Sequence, residues 1–302
     1  MGRGPATVLS LLYQVNSRKK LGYVMIAPAF ITLFLMTIYP FAYVVVVSLH
    51  QWAIVPTIPR VFVGLQQYVN MFKDSGFYRS VSITLLYTCA AVAFEMGIGF
   101  ALAYVISTTR LRWIRVAFLL PSIATPVVVG LIWRFHLGFD MGTINWFLSS
   151  LGLGRVNWLG GWAAARLSII LVDIWQWTPF AMLIFLAGLE SLPVDPYEAA
   201  VVDGANSWQI LRFLTFPLLL PVTVVILLFR TLDAFKAFDI IYMLTGGGPG
   251  NATEVLSYKI WHTAFFQNRI GYSAALSVVA IVIATVLMRG FIRLMKSAKY
   301  EQ

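Results

Sequence analysis

The stretch Leu192-Pro193-Val194-Asp195-Pro196-Tyr197-Glu198-Ala199-Ala200-Val201-Val202-Asp203-Gly204-Ala205-Asn206-Ser207-Trp208 separates two apolar runs, 167–189 and 213–235, each long enough to cross a bilayer. Local chemistry reads it as an elbow outside the lipid. Asp195 suits a helix cap, Pro196 the first helical position, and Glu198 stands where a capping box is completed. The helix is expected to run to Gly204, where a residue without Cβ permits a left-handed or closely packed break. Ser207 is placed to cap a second helix that leads into the next apolar run. Ala199 and Ala200 leave a bare face that a partner can approach closely. A well-capped connector with no partner satisfies the same local physics, so the elbow alone does not choose between the two.

The rest of the chain supplies the solvent in which this elbow works. Of 302 residues, 60% are hydrophobic and 11% charged, and the mean hydropathy is +0.81. A soluble domain carries about a quarter charged residues, and lipid is the solvent that accounts for the deficit. Six apolar segments meet the length of about 20 residues that a membrane-crossing helix needs. They run over 21–49, 81–107, 116–135, 167–189, 213–235 and 272–291. The expected fold class is therefore all-α, a polytopic membrane protein with about six transmembrane helices. The first run follows the basic cluster Arg18-Lys19-Lys20, and no small-residue cleavage site follows a short core, so it reads as a retained span.

The net charge of +10 does not point to nucleic acid, because the basic residues form no stripe. They cluster at the ends of apolar runs, as orientation determinants do. With the N-terminus inside, the inner segments hold Arg3, Arg18, Lys19, Lys20, Arg110, Arg112, Arg115, Arg212, Arg289, Arg293, Lys296 and Lys299, 12 of the 22 basic residues. The outer loops are longer and poorer in charge, so both termini are assigned to the cytoplasm. This gives a cytoplasmic segment over 1–20, a transmembrane domain over 21–296 containing the elbow at 190–212, and a cytoplasmic tail over 297–302. Ala6–Tyr13 has the pattern of a short interfacial helix, as do the tryptophan-bearing segments Ile144–Leu148 and Val156–Leu159 of an outer loop. One cysteine, Cys89, allows no intrachain disulfide and no cysteine metal site, and His50, His136 and His262 are scattered at loops and helix ends.

Spacing carries the elbow further. Glu198-Ala199-Ala200, then Gly204, then Leu214 and Phe216-Pro217, resembles the EAA signature of membrane subunits in binding-protein-dependent ABC importers. Phe216 stands where the family pattern has Leu. Asp203-Gly204-Ala205 narrows the resemblance to the carbohydrate branch, represented by the maltose and glycerol-3-phosphate importers. Trp175-Gln176-Trp177-Thr178-Pro179-Phe180, Ala187-Gly188-Leu189, Leu244-Thr245-Gly246-Gly247-Gly248-Pro249 and Gly271-Tyr272-Ser273-Ala274-Ala275 are similar to further stretches of that family. The resemblance runs from Gly22 to the C-terminus and implies a type I importer transmembrane domain in a bacterial or archaeal plasma membrane. It implies as partners a second homologous permease subunit, two ATP-binding subunits and an extracytoplasmic sugar-binding protein. Glu198, Ala199, Ala200, Asp203 and Gly204 would couple to the ATPase. Gln176, Trp177, Phe180, Arg230, Asp233, Ala234 and Ala237 match the stretches that hold substrate in the maltose importer.

No Gly-Lys-Ser/Thr follows the glycine run at Gly246–Gly250, and the sequence shows no catalytic triad or metal spacing. ATP and Mg²⁺ are therefore expected in a partner subunit, with no cofactor and no enzymatic activity in this chain. Ionisable residues inside spans are functional candidates by default. Glu95 and Asp173 fall in the second and fourth spans, and Arg230 and Asp233 share one face of the fifth. An internal ion pair and a sugar-contacting pair are both compatible with that spacing. Arg230 meeting a phosphate would suit glycerol-3-phosphate, whereas the adjacent Asp233 favours a neutral polyhydroxyl ligand such as a polyol. An ion-coupled secondary transporter, with Glu95 and Asp173 as coupling carboxylates, would leave the elbow without a role. A membrane glycosyl transferase finds no donor-binding loop.

Overall fold

A computed structural model describes residues 23, 25–55, 59–109 and 114–300. The expectations for 1–20, including Ala6–Tyr13 and Arg18-Lys19-Lys20, and for Arg110, Arg112 and 301–302 fall outside the described residues. Among the described residues the regular structure is helical apart from a two-residue antiparallel pairing, β1 (His50–Gln51) with β2 (Val61–Phe62). Five helices are long and apolar enough to cross a membrane. We number them with the shorter ones: α1 (Met25–Ser48), α2 (Gln66–Lys73), α3 (Ser75–Thr108), α4 (Ile114–Ile123), α5 (Pro126–His136), α6 (Thr143–Ser150), α7 (Trp162–Glu190), α8 (Asp195–Val202), α9 (Ser207–Phe235), α10 (Asp239–Leu244), α11 (Leu256–Phe265) and α12 (Ile270–Tyr300).

The third expected span is not one helix. It is divided into α4 and α5, of 10 and 11 residues. Thr125 is extended, with φ −66° and ψ 143°, because the ring of Pro126 disfavours helical backbone in the residue before it. Apolar content alone could not show this break. The freed backbone is held from the neighbouring α7: the Gln176 amide donates to the Ala124 carbonyl at 3.0 Å, and Ser122 Oγ donates to the Gln176 carbonyl at 2.7 Å. Backbone outside a helix is tolerated at membrane depth only where protein or water satisfies it.

The bundle is built on α3 against α7. Gly99 permits their closest approach, since a Cβ there would come within 2.9 Å of the Ala181 Cβ, the small-residue packing typical of helices in lipid. One cluster joins Ile83, Tyr87 and Val92 of α3 to Ile169, Val172 and Ile174 of α7, with Ile240 and Ile241 of α10. A second joins Ala103 and Ile106 to Met182, Phe185 and Leu186, with Ile226 of α9. Outside these clusters large apolar side chains such as Phe30, Phe34 and Met36 of α1 are exposed, as surfaces facing lipid or another subunit are.

The elbow has the expected shape with two different caps. Asp195 is the first residue of α8, and Val194 precedes it with helical backbone and no side-chain cap bond. Asp195 therefore sits in the first turn, where its charge favours the positive end of the helix dipole. The cap of α9 is Asn206 rather than Ser207, because Asn206 has the extended backbone the position needs. Asn206 Oδ1 accepts from the Gln209 amide at 2.9 Å, and Gln209 Oε1 accepts from the Asn206 amide at 2.8 Å. Gly204 has φ +79°, the left-handed break read from the sequence.

Candidate functional site

Two features at different levels of the bundle gather the candidate residues. The first is the elbow end. α8 buries none of its residues, and Glu198 and Ala199 are exposed. Ala199, Ala200, Asp203 and Gly204 line an open groove of about 600 Å³ with Pro196, Ala205 and the apolar Phe213 and Leu214 of α9. Glu198 stands outside that groove. The elbow is fixed to its own bundle by Tyr197, whose hydroxyl donates to Thr215 Oγ1 at 3.1 Å. The groove thus combines small residues, apolar side chains of α9 and one exposed acid, Asp203.

The second feature is a buried charge cluster nearer the other ends of α7 and α9. Arg230 is 2% exposed and reaches across two helices. Its Nε donates to Glu95 at 2.6 Å, Nη2 to Glu95 at 2.8 Å and to Asp173 at 3.0 Å, and Nη1 to Asp233 at 2.9 Å. Four of the five guanidinium N–H groups are thus engaged, and the cation lies 4.8 Å from the centre of the Trp177 ring. Glu95 and Arg230 come from positions 135 residues apart, so no local spacing announces the pair. The sequence placed Arg230 and Asp233 on one helix face, where they do form an ion pair, but flagged Glu95 and Asp173 separately, as residues unwelcome in lipid.

Beside the cluster lies a cavity of about 320 Å³ lined by Pro126, Asp173, Trp177, Asp233, Lys236, Ala237, Phe238, Asp239 and Ile240. Of the seven substrate-path candidates, Trp177, Asp233 and Ala237 face this cavity. Arg230 and Ala234 are buried behind it. Gln176 is wholly buried and holds the α4–α5 break, with Oε1 left without a partner. Phe180 packs edge-on against Trp177, with centroids 6.3 Å apart. Phe238 and Asp239, which no sequence motif singles out, reach the cavity from the short connection after α9 and the start of α10. Arg230 has no donor fork free for a phosphate, which removes the basis on which the sequence admitted glycerol-3-phosphate.

A multi-span helical bundle, with a broken helix, a buried ion cluster beside a cavity and an exposed elbow at one end, is a membrane transport component. The chain belongs to the family of binding-protein-dependent transport system inner membrane components, which matches residues 81–296. It is 36% identical to the trehalose/maltose transport system permease protein MalF of Thermococcus litoralis, over 87% of this chain and 90% of that protein. It is 35% identical to the sulfoquinovosyl glycerol transport system permease protein SmoG of Agrobacterium fabrum, over 92% and 91%. A bacterial ABC transporter that imports the acidic polysaccharide alginate superposes with TM-score 0.82 at 24% identity, covering 95% of this chain and 98% of that one. The resemblance read from the sequence is borne out at the level of family and fold.

Proposed function

We propose that the chain is one of two membrane-spanning subunits of an ATP-driven importer of di- or oligosaccharides. The observation that carries this reading is the coexistence of an open elbow groove and a polar, aromatic-walled cavity in one importer-family bundle. The names of the relatives support the substrate class: trehalose/maltose, sulfoquinovosyl glycerol and, for a third relative at 30% identity in Thermoanaerobacterium thermosulfurigenes, starch degradation products. Trp177 offers a ring face for a pyranose, and Asp233 an acceptor for its hydroxyls. Two ATP-binding subunits would dock on Glu198, Ala199, Ala200, Asp203 and Gly204, supplying ATP and Mg²⁺, with no cofactor held in this chain. A homologous permease would close the path from its open side. An external binding protein would deliver sugar at the end opposite the elbow, a partner supported by an alginate transporter at 25% identity whose structure contains a saccharide-bound periplasmic protein.

Docking at the elbow is tested by Glu198→Lys. Glu198 is exposed and makes no ion pair among the described residues, so the change leaves the fold in place. The ATPase is expected to be lost from affinity-purified complexes while the permease pair stays in the membrane. Co-purification at wild-type stoichiometry would remove the elbow from the mechanism.

A further inference from the structure

The cavity wall has a sign. Asp173, Asp233 and Asp239 present three carboxyl groups to it, against one ammonium, that of Lys236. Lys236 is already 3.4 Å from Asp233 and is 74% exposed. Among the described residues the other cation beside the cavity, Arg230, is turned away: its N–H groups serve Glu95, Asp173 and Asp233, and the Trp177 ring covers it. An anionic ligand entering this cavity would meet carboxylates and find no guanidinium fork, the group best shaped to receive a carboxylate or phosphate. A neutral hydroxyl donates to the same carboxylates, and an ammonium on a sugar carbon does so with charge assistance.

We infer that this cavity selects saccharides by charge: it admits neutral and amino-substituted sugars and rejects those bearing uronate, sulfonate or phosphate groups, with Asp233 and Asp239 as the residues that set the preference. The inference rests on the saccharide reading above and adds a substrate class to it. Asp233 is tied to Arg230 and is 40% exposed, so it acts through an oriented carboxylate whose other oxygen faces Lys236. Asp239 is exposed at the start of α10 and makes no ion pair among the described residues. Its charge can therefore be altered without breaking the buried cluster.

The test is equilibrium binding of three radiolabelled disaccharides of the same linkage to the purified complete transporter. They are a neutral glucosyl-glucose, its 2-amino analogue and its uronate analogue. The external binding protein is omitted so that its own preference does not enter. The wild-type complex is expected to bind the amino and neutral sugars in preference to the uronate. Asp239→Asn should narrow the neutral-to-uronate ratio about threefold, and Asp239→Lys should narrow it by about tenfold or more, as expected for removing and then reversing one charge at short range in a partly wet site. Asp239→Glu should restore the wild-type ratio. Binding of all three sugars with a ratio that Asp239→Lys leaves unmoved would overturn the charge selection alone. Binding of none of them by the wild-type complex would overturn this inference, whereas absence of ATP-driven uptake of the neutral sugar with the external binding protein present would overturn the saccharide reading itself.

Discussion

Arg230 is the residue on which most of the interior depends. A buried ion pair contributes little net stability, because desolvation opposes the attraction, yet removing one partner strands the others without compensation. Arg230→Ala would leave Glu95 and Asp173 facing each other in a buried site, and a loss of about 3–5 kcal/mol is expected. It should be read as a collapse of membrane-inserted protein and of the unfolding temperature in detergent. Arg230→Lys keeps the charge but loses the planar fork that serves three carboxylates at once, so it should fall between the two. Gln176→Leu keeps the side-chain volume and removes the donor to Ala124, leaving a buried carbonyl unsatisfied at about 1–3 kcal/mol. Its effect should appear first in thermal unfolding, and only through it in uptake. The sequence marked both residues as special. It placed Gln176 and Arg230 against substrate because a motif says which residues matter and not which way they point. Gln176 became a brace because Pro126 breaks the helix beside it, and Arg230 became a hub because two other helices bring acids to it.

At the scale of elements, the chain's punctuation was partly readable. Gly204 announced its break, since only a residue without Cβ is at ease at φ +79°. Proline at 126 carried the signal for the divided span, but hydropathy counts apolar atoms and is blind to backbone, so the segment read as continuous. The caps were displaced by one residue for a similar reason: Val194 and Asn206 take the boundary because of their backbone angles, which composition does not record. One cap was not foreseen. Asp74 closes the N-terminus of α3, accepting from the Gly76 amide at 2.8 Å and from the Tyr272 hydroxyl of α12 at 2.8 Å, with Lys259 Nζ of α11 at 3.5 Å. Burial raises this carboxyl, but the Tyr272 and Gly76 hydrogen bonds and the Lys259 charge outweigh it, and its pKa lies below the ordinary 3.8. A carboxylate held low in the folded state stabilises above its unfolded pKa, and that contribution is lost as pH falls through the folded value. Asp74→Asn should therefore lower the unfolding temperature at neutral pH and flatten its decline below about pH 4. An acid limb identical to that of the wild type would show that the three-helix knot around Asp74 is not what holds this end together.

For the whole molecule, polarity along the bundle is the property that function requires. α3 and α7 both end near Tyr104, Glu190 and the elbow, which together line a second groove at that end. The segment that follows β1, Trp52 to Ile54, and the lead-in to α12 meet at the other end, where the Ile54 amide donates to Asn268 Oδ1 at 2.7 Å and the Gly271 amide to the Trp52 carbonyl at 3.2 Å. The order of spans was legible from apolar length, with the third divided where one helix was expected; the cavity was not legible, since its walls come from α5, α7, α9 and α10 and depend on packing across long sequence separations. Which end faces the cytoplasm is an expectation drawn from the distribution of Lys and Arg rather than from the fold. That assignment has a direct test. Native Cys89 is first replaced by Ser, and single cysteines are then placed at Ser149, Gln267 and Ser207, all exposed positions. Ser149 and Gln267 lie on the side assigned to the outside, and Ser207 lies in the elbow. In intact cells an impermeant maleimide should label the first two and spare the third, and opening the membrane should expose Ser207→Cys as well. Ser149 and Gln267 test two separate loops, so agreement between them checks that an even number of crossings, α7 and α9, separates them. Labelling of Ser207→Cys from outside would invert the protein and place the elbow where no ATP-hydrolysing partner could reach it.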